Sequence, residues 1–255
     1  ESGMIGKKYD ELDVRIYGSP REMGQAAALD IAEAVREVLG RKEECCMIFA
    51  AAPSQNEMLE ALQKDASVEW GRIRAFHMDE YCGLVPDAPQ TFGNFLEKAL
   101  FAKVPLKAVH YLRDAGTSPE EICGNYAELL ERYPADIVCL GIGENGHIAF
   151  NDPPVADFGD PKLVKLVELD PLCRRQQVND GCFSSLEEVP AYAVTLTVPA
   201  LCRAEKMFCV VPGVRKAAAV RDTCMGEVGE KCPATALRLH GAAVLYLDGD
   251  SAAGL

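Results

Sequence analysis

No apolar run in this chain approaches the roughly 20 residues needed to cross a membrane, and its first thirty residues hold neither a basic n-region nor a hydrophobic h-region. Both absences predict a soluble, cytoplasmic protein without a membrane partner. Also missing is any run of Lys and Arg that could track a phosphate backbone. With 39 acidic residues against 26 basic ones, the formal net charge is −13, which argues against nucleic acid as a partner. An anionic small substrate stays open, because binding one takes a local positive site and not a positive molecule. The 11 cysteines include no CxxC pair, and several, such as Cys139 and Cys209, stand inside apolar runs. They read as reduced core thiols and not as a disulfide framework or a zinc site. No internal repeat or low-complexity linker divides the 255 residues, and 49% hydrophobic composition can fill a large core, so the chain is read as one domain over 1–255. Glu1-Ser2-Gly3 ahead of Met4 reads as a remnant outside the native sequence.

What is present alternates between helix and strand signals. Ser19-Pro20-Arg21-Glu22 has a capping-box serine and glutamate with proline at the first helical position, opening a helix that ends near Gly40. Ser54-Gln55-Asn56-Glu57 is a second such box, for a helix to about Lys64, and Ser118-Pro119-Glu120-Glu121 a third, for a helix to about Tyr133. A further helix is expected over 214–224. Strands are expected over 45–50, 73–77, 136–140, 192–198, 206–211 and 243–247. This alternation predicts an α/β fold whose mostly parallel sheet is covered on both faces, with active-site residues at strand carboxyl ends.

Two strings sit at such ends. Residues 141–154, GIGENGHIAFNDPP, follow the strand over 136–140 and bring Asn145, Gly146, His147, Asn151 and Asp152 together. GIGENG fits the dinucleotide pattern GxGxxG, but that motif needs a long helix after its third glycine, and Pro153 and Pro154 arrive too soon. A nicotinamide or flavin site is therefore not expected. The second string, FHMDEY over 76–81, places Asp79 and Glu80 at the end of the strand over 73–77, ahead of a turn-rich loop over 83–89 that looks like a rim or lid. Adjacent strand residues face opposite ways, so one carboxylate can face a cleft while the other bonds to backbone. Taken singly, Asp79 is as readily a loop cap and His147 a hydrogen-bonded structural histidine.

Together the strings resemble the glucosamine-6-phosphate deaminase (isomerase) family, of the glucosamine-6-phosphate isomerase/6-phosphogluconolactonase superfamily. The likeness rests on FHMDEYCGL (76–84) and LGIGENGHIAFNDPP (140–154), and it extends through VPAYAVTLTVPALCRAEKMFCVVPG (189–213) to Lys216. It implies a Rossmann-like three-layer α/β/α sandwich, a sugar phosphate as small-molecule partner, and cofactor-independent, metal-free isomerisation with deamination. By the same resemblance His147 is the ring-opening acid/base and Asp79 the base that moves a proton between C2 and C1. Asp152 would orient His147, standing where most members carry glutamate, and Asn145 falls at a place that is aspartate or asparagine in the family. Substrate contacts are assigned to Lys216, Ser54, Glu80, Gly146 and Gln177.

The phosphate-binding positions depart from the family pattern. Ala50-Ala51-Ala52-Pro53-Ser54-Gln55 stands where relatives carry two glycines with a serine or threonine, and proline has no N–H to donate. Ser54 can contact an anion or serve only as a cap. Gln177 stands where the family has a phosphate-clamping arginine, with Arg174 and Arg175 as nearby substitutes. Lys216 matches the family's phosphate lysine, in the first turn of its predicted helix, where free amides would join its ammonium. Of a basic pair marking the family's allosteric site only Lys165 is present, with Leu163 at the other place, so strong activation by an amino sugar phosphate is not expected. A homo-oligomer is compatible with the sequence, although helix faces alone reveal no interface. The alternatives are another sugar phosphate isomerase or lactonase of the same fold, and a non-catalytic sugar phosphate sensor.

Overall fold

The structure, a computed structural model, describes residues 3–255; Glu1 and Ser2, two of the three residues read as a remnant, lie outside the described residues. Eight strands form one sheet: β1 (Ile5–Tyr9), β2 (Leu12–Tyr17), β3 (Cys45–Phe49), β4 (Ile73–His77), β6 (Ala108–His110), β7 (Ile137–Leu140), β10 (Lys206–Val211) and β11 (Ala243–Asp248). Their order is β1-β2-β11-β10-β7-β3-β4-β6, parallel throughout except for the exposed β1–β2 hairpin at one edge. Three more strands, β5 (Asp79–Tyr81), β8 (Val164–Glu168) and β9 (Tyr192–Leu196), make a separate antiparallel sheet in the order β5-β9-β8. The run expected over 192–198 is thus a strand, but it lies in this second sheet.

The sheet is buried on both faces because the residues of its inner strands alternate between two cores. Met47, Phe49, Ile137 and Cys139 meet α1 (Pro20–Leu39), α2 (Asn56–Gln63) and α3 (Phe92–Leu96) on one side. Ile48, Phe76, Val138 and Leu140 meet α4 (Pro119–Arg132), α6 (Val198–Cys202) and α7 (Ala217–Met225) on the other. One more helix, α5 (Pro171–Asn179), follows β8 and was not expected.

Two of the three serines cap as expected, while Glu22 and Glu121 accept from the N–H groups of Gly18 and Thr117, one residue before each cap. Ser19 accepts from Glu22 N at 3.1 Å and Ser118 from Glu121 N at 3.1 Å. Ser54 does not cap: Pro53–Gln55 is a 3-10 turn, α2 starts at Asn56, and no side chain caps either helix start. Ser54 lies inside that turn, so its hydroxyl is not spent on a cap.

From β3 the chain moves through α2 to β4 on one side of the sheet, then returns through α4 to β7 on the other side of β3. The strand order therefore reverses between β3 and β7, and open α/β sheets bind ligands at the carboxyl ends beside such a reversal.

Candidate active site

A cleft opens at that reversal, with about 470 Å³ of empty space when its solvent-open mouth is included. Its walls come from the segments that leave β3 (Ala50 to Ala52, then Ser54), β4 (Met78, Asp79) and β7 (Gly141 to Gly143, His147), with Gln176 and Gln177 from α5, Lys216 ahead of α7, and the rings of Phe92 and Phe150.

Asp79 reaches the cleft because the chain changes sheets at Met78. Met78 N donates to Phe49 O at 3.2 Å in the large sheet, while Leu196 N donates to Met78 O at 2.8 Å in the small one. His77 pins the crossing: Leu112 N donates to its Nε2 at 3.0 Å, so Nδ1 carries the proton and donates to Asp79 O at 3.0 Å. Burial holds His77 neutral, with its pKa lowered to about 4. The Asp79 carboxylate has no hydrogen-bond partner among the described residues. Burial first, then the nearby Glu80 and Asp152 charges, push its pKa well above the ordinary carboxylate range.

Glu80 faces the other way, as strand alternation requires. Its Oε2 accepts from Phe92 N at 2.7 Å, and it does not line the cleft. The substrate contact assigned to it from sequence is therefore corrected: Glu80 holds the start of α3, which carries Phe92 to the cleft wall. Burial raises its pKa to about 7.

His147 is seated by its own turn. Positive φ at Gly146 (82°) and Ala149 (51°) folds the segment back on itself, and Ile148 bridges Asn151. The imidazole lies against Gly143, where an added Cβ would fall 1.9 Å from His147 Cε1. No helix follows Gly146 before α5, so the segment lacks the helix N-terminus on which the dinucleotide motif holds a pyrophosphate. Gly146 itself is not at the cleft surface; a Cβ there would fall 2.6 Å from Cys232 Sγ. Its requirement for glycine is conformational and steric, which corrects the contact expected of it.

Asn145 and Asp152 stand behind the imidazole. Asn145 Oδ1 accepts from His147 N at 3.1 Å and from Nδ1, which leaves Nε2 as the basic nitrogen. Asp152 Oδ1 lies 3.4 Å from His147 Nδ1, and Asp152 Oδ2 accepts from Asp170 N at 3.0 Å. Asn145 Nδ2 donates to Asp170 Oδ2 at 3.1 Å. Burial and the Lys216 charge lower the His147 pKa to about 3, and burial raises Asp152 to about 6. Sequence reasoning missed Asp170 and Cys173, although Asp170-Pro171 is itself a helix-start signal; Asp170 caps α5 and ties it to the histidine's support.

Lys216 is the one cation lining the cleft, near enough to His147 for its charge to act on the imidazole. It ends a 3-10 turn entered through Gly213 at φ 98°, and its buried ammonium donates to Ile142 O at 3.0 Å. Burial lowers its pKa. Ser54 Oγ accepts from Gln55 Nε2 at 3.2 Å beside it, and the Gln177 amide has no hydrogen-bond partner among the described residues. Arg174 and Arg175 do not substitute for Gln177. Arg174 donates to Leu186 O and Val189 O, at 3.0 and 2.9 Å, and Arg175 is exposed. Lys165, on β8, is paired with Asp160 at 2.8 Å and lies outside the cleft.

Fold and cleft define the class: an α/β protein with a buried carboxylate and a neutral imidazole facing one small-molecule site. The profile of the family described as "Glucosamine-6-phosphate isomerases/6-phosphogluconolactonase" matches residues 18–167, and the chain belongs to that family of enzymes. It is 29% identical over 229 residues to a glucosamine-6-phosphate deaminase of Bacillus cereus, covering 90% of this chain and 84% of that one. With a glucosamine-6-phosphate deaminase of Exiguobacterium sibiricum it shares 32% over 217 residues, covering 85% and 84%. A solved monomeric glucosamine-6-phosphate deaminase superposes with a TM-score of 0.85 at 25% identity, over 95% of this chain and 99% of that one. The 6-phosphogluconolactonase of Trypanosoma brucei shares the fold, with a TM-score of 0.75 at 17% identity over 98% and 100% of the two chains. Among the described residues, no helix is long and apolar enough to cross a membrane.

Proposed function

We propose that the cleft converts an amino sugar phosphate, glucosamine 6-phosphate or a close analogue, into the corresponding ketose phosphate and ammonia. The observation that carries this reading is the joint exposure to one cleft of an unpartnered, buried Asp79 and a neutral His147, with Lys216 as the cation in the same lining. The whole chain acts as one domain, since the segments that leave β3, β4 and β7 share one cleft with α5 and Lys216.

His147 Nε2 exchanges protons with the ring oxygen and the C1 hydroxyl, opening the sugar to its aldehyde. Asp79 then takes the proton from C2, giving an enolamine, and returns one to C1. Its burial suits this task, because a desolvated carboxylate is a stronger base than one in water. The product is a C2 imine, which water hydrolyses to the ketone with release of ammonia. Asp152 and Asn145 fix the imidazole's orientation and tautomer. Lys216, Ser54 and Gln177 receive the phosphate, and Lys216 supplies the charge. Every step is proton transfer or hydrolysis, so the residues themselves suffice.

Incubation with glucosamine 6-phosphate, or with its galactosamine epimer, is expected to release ammonia and a ketose phosphate in equal amounts. If neither sugar gives these products, the assignment is wrong; lactone hydrolysis that does not need Asp79 would move the chain to the lactonase chemistry of its fold relatives.

A further inference from the structure

Cys173 takes no part in this chemistry, yet it is fully buried in the first turn of α5, with Sγ 4.0 Å from His147 Nε2. One imidazole nitrogen of His147, one carboxylate oxygen of Asp152 and Sγ of Cys173 all lie within 4.8 Å of one another. Among the described residues this is the one cluster of three such donors. Ligands around a tetrahedral zinc ion, with bonds of about 2.0–2.3 Å, stand roughly 3.3–3.8 Å apart. Donors within 4.8 Å of one another need to close by about 1 Å to reach that spacing; Nε2, which the Nδ1–H bond to Asn145 leaves free, lies 4.0 Å from Sγ.

The donor set is selective. Thiolate and imidazole favour zinc-like ions over magnesium or calcium, and three protein ligands with one open position are the usual arrangement at a zinc ion that also holds water. Supporting groups for two of the ligands are in place, because Asp152 is held by Asp170 N and His147 by Asn145. His147 lines the cleft, so an ion entering it meets the imidazole first. The sequence has no zinc spacing to announce this, since the ligands come from the loop after β7 and from α5, 26 residues apart at the two ends.

We propose that His147, Asp152 and Cys173 form an inhibitory site for a thiophilic divalent cation such as Zn²⁺. The ion exchanges water ligands for the three side chains, the Cys173 proton leaves to solvent, and nothing is oxidised or reduced. Inhibition follows because the imidazole can no longer exchange protons with the sugar. That consequence rests on the role proposed for His147; the binding does not.

Co²⁺ serves as the probe, titrated into the full, reduced chain with and without glucosamine 6-phosphate turnover. One equivalent is expected to give thiolate-to-cobalt charge-transfer absorption and to abolish turnover, with recovery on adding a chelator. Cys173→Ser is expected to lose the band and to raise the cobalt concentration for half-inhibition roughly 10- to 100-fold. Cys182→Ser, on a half-buried cysteine outside the cluster, is expected to retain both. Cys173→Ala repeats the test if the serine variant melts early. Cobalt absorption and inhibition that persist in a folded Cys173 variant would overturn the site. Turnover untouched by bound cobalt would overturn the inhibition while leaving the enzyme assignment standing. Cys173-dependent cobalt binding in a chain that turns over no amino sugar phosphate would do the reverse.

Discussion

Around the proposed reacting groups, Asp79 and His147 are buried and their backbones and rings are fixed from behind, by His77, Asn145, Asp152 and Asp170. Among the proposed anion contacts, one lysine lines the cleft with a serine and an unpartnered amide, and the turn that holds the serine includes a proline. The first set is tied into a network that leaves the Asp79 carboxylate as its free group; in the second, Lys216 and Ser54 each make one protein hydrogen bond and keep further capacity for a ligand. Chemistry and anion affinity are therefore built by separate residues, and substitutions in each should move different kinetic constants.

The largest effect is expected at the reacting groups. Asp79→Asn keeps the shape but removes the base, and kcat should fall about 10²–10⁴-fold, the usual worth of a positioned proton-transfer group. His147→Gln should fall in the same range. An increase of KM alone in either variant would mean that the two sets of residues are not separable as described.

Next comes Lys216→Met. Losing a charged contact worth about 1.5–3 kcal/mol should raise KM for the phosphate sugar roughly 10- to 100-fold and leave kcat within about threefold. Steady-state kinetics check both. Gln177→Arg sharpens the contrast in the other direction: a guanidinium facing the anion should lower KM about 3- to 10-fold without changing kcat.

Acidity separates the regions too. Asp79 and Asp152 both have raised pKa values, about 6 for Asp152, while His147 is held at about 3 and stays neutral. Acidification protonates the carboxylates, so kcat/KM should fall as pH drops through about 6, with no limb from the imidazole near its ordinary value of about 6.5.

The smallest effect is on stability alone. Glu80 is raised to about 7 by burial, so the folded state keeps its proton where the unfolded chain has lost it. Its contribution is present below about 4.3, the ordinary glutamate value, and is lost as pH rises through about 7. Glu80→Gln should therefore gain stability at pH 8 relative to pH 5, on the order of 2 kcal/mol, in paired denaturant titrations. An equal change at both pH values would contradict the burial of a protonated Glu80.

Much of this was legible in the sequence. The inner strands of the large sheet and the caps at Ser19 and Ser118 follow from local signals, and those signals survive folding because each is satisfied within a few residues. Ser54 failed as a cap because Pro53 opens a 3-10 turn one residue too early. Strand pairing was less accessible: the pattern over 192–196 marks a strand but not its neighbour, and only the register Asp79↔Thr195 shows that it joins β5. The exposed β1 and three-residue β6 carry too little apolar patterning to stand out. Asp79 and Glu80 were expected to face opposite ways, but which one faces the cleft depends on the sheet change at Met78, a long-range contact. Cys173 was hidden for the same reason, since only folding brings it to His147.

The most direct test is exchange of the C2 proton of glucosamine 6-phosphate with deuterated solvent, followed by NMR in the wild type and in Asp79→Asn. Exchange is predicted in the wild type and should be at least about 100-fold slower in the variant, with sugar binding retained through Lys216. Exchange at the wild-type rate in Asp79→Asn would contradict the assignment of Asp79 as the base.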